Sequence, residues 1–211
     1  MSQLNEVAID IPQTANNDPR IGQLMGSSLK KDDSPKAVIV GFPSDKGVQV
    51  NGGRPGAADA PNAIREHLYK MTPDAENPEL FTDLVHQCHD IGNIEVTGEL
   101  AKDQEQMGSL VAGYVEQDIV PIILGGGHET AFGHFLGYAE ADLTTSIFNL
   151  DAHTDVRPLK EGQPHSGSPF RQALEHQSDC AETYLVAGLQ PHSVAQSHLE
   201  YIDQHNGQYL F

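Results

Sequence analysis

Apolar residues in this chain fall into short blocks, and amphipathic or polar stretches separate them. Lys36–Phe42 (KAVIVGF) is a β-branched run without a charged interruption after its first residue, which predicts a strand buried on both faces. Asp59–Met71 then places Ile64, Leu68 and Met71 at helical spacing, with Pro61 near the start, where its missing N–H costs nothing. The alternation continues. Strands are predicted at Val85–Ile91, Ile119–Leu124, Thr145–Leu150 and Thr183–Leu189, and helices at Glu99–Gln117, Thr130–Ala139, Ser168–His176 and His192–His205. In the longest helix Leu100, Met107, Leu110, Val111 and Val115 form one apolar stripe. Tyr209–Phe211 starts another strand. Buried strands that alternate with helices predict an α/β fold, a three-layer α/β/α sandwich around a mainly parallel sheet.

Residues 1–35 lack this pattern and read as a polar lead-in, with turn chemistry at Asn16-Asn17-Asp18-Pro19 and Asp32-Asp33-Ser34-Pro35. Residues 36–211 are expected to form one α/β domain. The last residues, Gln208-Tyr209-Leu210-Phe211, are apolar and strand-like, whereas termini usually end in polar residues. The expectation is a domain lacking its last strands, with a docked edge strand as the alternative.

Composition narrows the classes of function. Acidic residues number 30 and basic ones 12, for a net charge of −18 with histidine neutral. Such a surface repels phosphate backbones, and the only basic doublet is Lys30-Lys31, so no nucleic-acid partner is expected. With glycine counted and tyrosine left out, apolar residues make up about 45%, the lower edge of the globular range, so a core is feasible. Val38–Val40 and Ile119–Leu124, the longest apolar runs, are far too short to span a bilayer, and Met1–Asp10 has no signal-peptide pattern. Cys88 and Cys180 have no CxxC partner, which excludes a disulfide scaffold, predicts inert thiols and makes the cytoplasm the default compartment.

The chemistry concentrates at two strand ends. Asn149–Asp155 (NLDAHTD) follows a predicted strand, the place where open α/β sheets bind ligands. Asp151, His153 and Asp155 alternate, so an extended backbone would throw all three to one side, a donor set for a hard or borderline divalent cation. Taken alone, a polar strand end with helix-capping aspartates explains the motif as well. Gly125–Glu129 (GGGHE) favours the metal, because it follows the strand Ile119–Leu124 and would bring His128 to the same sheet edge. A phosphate-binding loop is excluded, since neither GK[ST] nor GxGxxG occurs there. A third segment, GVQVNGGRPGAADAPNAIR over residues 47–65, is a Gly/Asn loop of the kind that lines sites.

These segments together resemble the ureohydrolase family of arginase, agmatinase and formimidoylglutamase, over most of the chain from Lys36 onward. The resemblance implies a binuclear manganese centre that activates a shared water for attack on a guanidinium or formimino carbon. By resemblance, His128, Asp151 and Asp155 serve one ion, and His153 and Asp151 the other; Asp155 is also catalytic, holding the attacking water. The family assembles as oligomers, so a homo-oligomer is expected, acting on a small-molecule substrate, with no membrane partner.

Two details bring the chain nearest to the formimidoylglutamase branch, whose reaction is hydrolysis of N-formimidoyl-L-glutamate to L-glutamate and formamide in histidine degradation. Arg157 stands where the resemblance places the substrate's carboxylate, and a guanidinium there suits an anionic substrate. The stretch His165–Gln172 (HSGSPFRQ) is similar to that branch's SGTPFRQ segment. Arg171 reads equally as a second anion contact or a helix-surface charge. His165 is a candidate catalytic proton shuttle displaced by one residue, with a surface loop histidine as the competing reading. His86 and His89, on one predicted strand at odd spacing, should face opposite sides, and His67, His134, His176, His192, His198 and His205 read as structural or exposed. The resemblance also implies a later DxD pair that completes both metal sites. Residues 156–211 contain only Asp179 and Asp203, so at most one ion is expected in this chain, with activity in doubt. The alternatives are an agmatinase or other guanidino hydrolase, or a non-catalytic binding module.

Overall fold

The structure is a computed structural model of the 211-residue chain and describes residues 4–15, 17–26 and 34–211. Met1 to Gln3, the doublet Lys30-Lys31 and the turn residues Asn16, Asp32 and Asp33 lie outside the described residues. In chain order the elements are β1 (Leu4–Asn5), α1 (Ile21–Leu24), β2 (Ala37–Phe42), α2 (Lys46–Val50), a 3-10 turn (Ala57–Asp59), α3 (Ala60–Leu68), α4 (Pro78–His86) and β3 (Cys88–Ile94). They continue with α5 (Leu100–Val115), β4 (Val120–Gly125), α6 (Thr130–Glu140), β5 (Thr145–Leu150), α7 (Pro169–Leu174), β6 (Ala181–Ala187), α8 (Gln196–Gln204) and β7 (Gln208–Leu210).

The α/β expectation holds, and every ladder except β1 against β3 is parallel. The strands do not form one sheet, however. A four-stranded sheet runs β1-β3-β2-β4 and a three-stranded sheet runs β5-β6-β7, with no ladder between β4 and β5 among the described residues. Each sheet has its own core. Val40, Phe42, Ile94, Met107 and Val111 fill the first, and Val156, Phe170, Tyr184, Val186, Leu189 and Ile202 the second. The register pairs Phe42 with Gly125, so β2 and β4 end level at the edge that carries the site.

The strand expected at Val85–Ile91 needs correction. Val85 and His86 close α4, with Val85 on its buried face, and β3 starts at Cys88. His86 and His89 therefore do not share a strand. The polar stretch before β2 is tied to the domain: Leu4 pairs with Ile94, Ile21 is buried, and the Ile21 and Gly22 amides donate to the Met71 and Tyr69 carbonyls at 2.9 and 3.2 Å.

Arg65 anchors the loop that leads from β2 toward the site. Its guanidinium is wholly buried. It donates to both Asp90 carboxylate oxygens at 2.7 and 3.0 Å, to Asn93 Oδ1 at 2.7 Å and to the Gly92 carbonyl at 2.9 Å, and the Tyr69 hydroxyl also bonds Asp90. Planar, bidentate pairing of this kind lets a buried charge offset part of its desolvation cost, and here it fixes α3 against β3.

Candidate metal centre

The site grows from two strand ends. After β4 the Gly126 amide donates to the Phe42 carbonyl at 3.0 Å and the Gly127 amide to the Ser44 carbonyl at 2.8 Å. A Cβ on Gly126 would lie 2.0 Å from the Ser44 oxygen, so only glycine lets the two backbones approach this closely. That contact fixes His128 in the short link between β4 and α6. On the other sheet the Asp151 amide donates to the Ala187 carbonyl at 3.0 Å and prolongs β5 along β6.

Beyond Asp151 the backbone bends over residues 151–153, and Asp155 sits at φ +42°, in the left-handed region. The extended backbone expected from the DxHxD spacing is therefore not what converges the ligands. The bend and the left-handed residue bring Asp155 back toward His128. His128 Nδ1 lies 2.5 Å from Asp155 Oδ2 and 3.4 Å from Asp151 Oδ2. One donor atom from each of the three residues falls within 4.8 Å of the others, the one such grouping among the described residues. His153 stays outside it: its amide and its Nδ1 approach Asp151 Oδ1 at 2.8 and 3.1 Å, and its side chain is half exposed.

Burial favours the neutral His128 imidazole, but the hydrogen bond to Asp155 and the charges of Asp155, Asp151 and Glu129 outweigh it and raise its pKa. No lysine or arginine nitrogen lies within 4 Å of either carboxylate among the described residues; histidine is their only ionic partner. Two converging carboxylates and one imidazole, short of positive charge, fit a hard or borderline divalent cation. Beside them Glu129 is wholly buried. Its carboxyl is pushed up by burial, held back by backbone hydrogen bonds from its own amide, Gly47 and Val48, and raised by the Asp45 charge. Its Oε1 accepts from the Gly47 amide at 2.7 Å, which draws α2 against the site.

Side chains outside the ligand set brace the loop. The buried Tyr184 hydroxyl donates to the Thr154 carbonyl at 2.6 Å and accepts from Asn149 Nδ2 at 3.2 Å; burial pushes its phenol pKa up. The Phe170 ring meets His128 edge-on at 5.4 Å. Asn149 and Phe170 fall inside the segments NLDAHTD and HSGSPFRQ, whereas Tyr184 carried no sequence signal.

The other candidates separate by what they touch. Arg157 donates to Asn51 Oδ1 at 3.3 Å and has no carboxylate within 4 Å among the described residues; Asn51 in turn donates to Ser166 Oγ at 3.1 Å. Arg171 is committed to the fold. It donates to the Val156 carbonyl at 2.8 Å and to Glu175 at 3.0 Å, and its guanidinium stacks 3.7 Å over the Tyr201 ring. It is a packed brace, neither an anion contact nor a free surface charge. His165 is buried, not on the surface. Its Nε2 donates to the Pro158 carbonyl at 3.0 Å and its Nδ1 accepts from the Gly167 amide at 3.1 Å, which leaves neither nitrogen for a proton relay. Cys88 and Cys180 are free and buried, and burial raises the Cys88 thiol pKa. No helix among the described residues is long and apolar enough to cross a membrane.

Comparison with known proteins gives the same neighbourhood. The arginase family profile matches residues 35–210. A formimidoylglutamase of Lysinibacillus sphaericus is 35% identical over 195 residues, 90% of this chain and 58% of that protein. One from Rhodococcus jostii is 42% identical over 160 residues, 72% of this chain and 47% of that protein. A Trypanosoma cruzi formiminoglutamase structure with Mn2+ superposes with a TM-score of 0.81 at 29% identity, covering 92% of this chain and 65% of that one. The chain thus spans about half the length of the curated relatives it matches.

Proposed function

The chain belongs to the arginase family, and from that premise we propose that its residues carry one metal site and the anion-reading side of a manganese-dependent hydrolase of N-formimidoyl-L-glutamate, which releases L-glutamate and formamide in histidine degradation in the cytoplasm. The convergence of His128, Asp151 and Asp155 on one point, without a basic counter-charge, carries the reading.

The metal, when bound, supplies Lewis acidity that makes water nucleophilic near neutral pH. His128 Nδ1 and one oxygen each from Asp151 and Asp155 would hold it. The second Asp155 oxygen would accept a hydrogen bond from the attacking water and orient it toward the formimino carbon. Phe170 shields the His128 ring on one side. Arg157, held by Asn51 and with no carboxylate within 4 Å among the described residues, would pair with the substrate's carboxylate; a cationic guanidino substrate without a carboxylate would be repelled there. Asp151 with the half-exposed His153 makes a poor second site, so the 211 residues bind at most one ion, and turnover by this chain alone is absent or residual.

Elemental analysis after dialysis against Mn2+, paired with formamide release from N-formimidoyl-L-glutamate and urea release from agmatine, tests this. The expected result is no more than one manganese per chain and any turnover confined to the formimino substrate. No retained manganese, two tightly held ions, or preference for agmatine would overturn it.

A further inference from the structure

We propose that Asn51 is a positioning residue that sets the charge preference of the site: it grips Arg157 through a neutral amide oxygen, which fixes the guanidinium and leaves its positive charge for an anionic substrate. The inference rests on the reading of Arg157 as the partner of the substrate's carboxylate, and it names the residue that decides what Arg157 can bind.

Asn51 caps the C-terminal end of α2, where its amide donates to the Gly47 carbonyl at 3.0 Å. Its side chain is engaged at both ends. Oδ1 accepts from Arg157 Nη1 at 3.3 Å, and Nδ2 donates to Ser166 Oγ at 3.1 Å. A guanidinium has no acceptor, so the amide sits with its oxygen toward Arg157. Arg157 is held from behind as well. Its amide donates to the Gly167 carbonyl at 2.9 Å, and a Cβ on Gly167 would lie 3.0 Å from Arg157 Cδ, so the stem of the side chain runs along the glycine.

α2 is itself pinned. The wholly buried Glu129 accepts from the Gly47 amide at 2.7 Å, the Ser166 amide donates to the Gly47 carbonyl at 3.1 Å, and Lys160 Nζ donates to the Val50 carbonyl at 2.9 Å. A Cβ on Gly47 would lie 2.6 Å from the Glu129 carboxyl carbon, so only glycine lets α2 come this close. Asn51 thus stands at a fixed point beside Arg157.

For the substrate, the charge of this partner matters more than its shape. Aspartate has nearly the same size as asparagine, and Ser166 could donate to it in place of accepting. Its carboxylate, however, would form a charge-assisted pair with Arg157 and compete with the substrate for the guanidinium. No other cation in the stretch is better placed. Of the three lysine and arginine side chains in residues 151–171, Arg171 is paired with Glu175 and Lys160 is tied to the Val50 carbonyl.

NMR titration of the metal-free 211-residue protein with L-glutamate tests this in the parent and four variants. Asn51→Asp should weaken binding about tenfold or more, the loss of a charge-assisted contact. Asn51→Ser is too short to reach Arg157 but adds no charge, so it should cost only about threefold. Gln163→Glu adds the same charge at an exposed position of the same loop, where screening should hold its effect to about twofold or less. Asn51→Asp that binds like the parent overturns the proposal. So does Asn51→Ser as damaging as Asn51→Asp, which would leave Asn51 a purely steric brace, or Gln163→Glu as damaging as Asn51→Asp, which would make the effect one of diffuse charge. Arg157→Ala separates this inference from the reading beneath it. If Arg157→Ala weakens binding and Asn51→Asp does not, the inference falls alone; if Arg157→Ala changes nothing, the anion reading falls and takes the inference with it.

Discussion

Asp155→Asn should make the metal-free protein more stable and the manganese-loaded protein less so. The carboxylates of Asp151 and Asp155 reach within 4.8 Å of one another with only His128 between them. At that spacing and an effective dielectric constant of 20, two unit charges repel by roughly 3.5 kcal/mol, and partial exposure of Asp151 trims this to about 1–3 kcal/mol. Asparagine removes the charge, keeps an oxygen for the His128 N–H and tolerates the left-handed backbone at this position. In chelator and mildly alkaline buffer, urea unfolding should therefore show the variant more stable by that amount. With manganese at a hundredfold excess over its dissociation constant the parent gains about 2.7 kcal/mol, and the variant, lacking one of three donors, should gain little. The ranking inverts on loading. Acidification has a definite sign too. Burial opposes the charged imidazole, but Asp155 and its neighbours leave the folded His128 pKa raised. The stability this supplies is fully present below the unfolded pKa and is lost as pH rises through the folded one. The metal-free advantage of the variant should thus shrink in mildly acidic buffer, where the parent regains its imidazolium–carboxylate pair. A variant that is weaker in chelator at alkaline pH, or that gains as much from manganese as the parent, would refute this account of the site.

Three further outcomes test other links. Arg65→Met strands the partly buried Asp90 and the buried Asn93 and should cost about 2–4 kcal/mol in urea unfolding, because one half of a largely buried pair is left uncompensated. Arg157→Ala should leave the manganese gain unchanged while weakening binding of L-glutamate, followed by NMR, by about tenfold to a hundredfold, the ~1.5–3 kcal/mol of charge-assisted hydrogen bonds. His165→Ala removes a buried ring with two backbone bonds and should cost about 2–4 kcal/mol of stability without altering the manganese gain; a normal melting curve would show that the ring is not the loop's brace.

The alternation of apolar runs and amphipathic stretches revealed most of the fold, and β2, β4 and β5 lie within a residue of where it puts them. β3 escaped for a physical reason. Its sequence, CHDIGNI, carries Asp90 and Asn93, which serve the buried Arg65 guanidinium, so a strand at the centre of a sheet lost its apolar signature. The run LFTDLVH before it, read partly as strand, is helical from Pro78. The division into two sheets left no mark on the sequence, because strand order is set by pairing between distant segments, and β4 and β5 look alike whether or not they pair with each other.

The two candidate metal-binding motifs were legible because each follows an apolar strand, yet alternation along an extended chain gave the wrong reason for their convergence. Asp155 reaches His128 through a bend and a left-handed residue, and His153, which alternation would have included, turns out to solvent. The two arginines divide on local backbone, helix for Arg171 and loop for Arg157. Arg171 has Glu175 one helical turn ahead, an i,i+4 pairing that commits it to its own helix before any substrate arrives. Arg157 has Glu161 at the same spacing in DVRPLKEGQ, but residues 154–159 are loop and not helix, so that contact does not form, and among the described residues no carboxylate lies within 4 Å of Arg157. That difference is why we propose Arg157, and not Arg171, as the residue that would favour an anionic substrate over a cationic one.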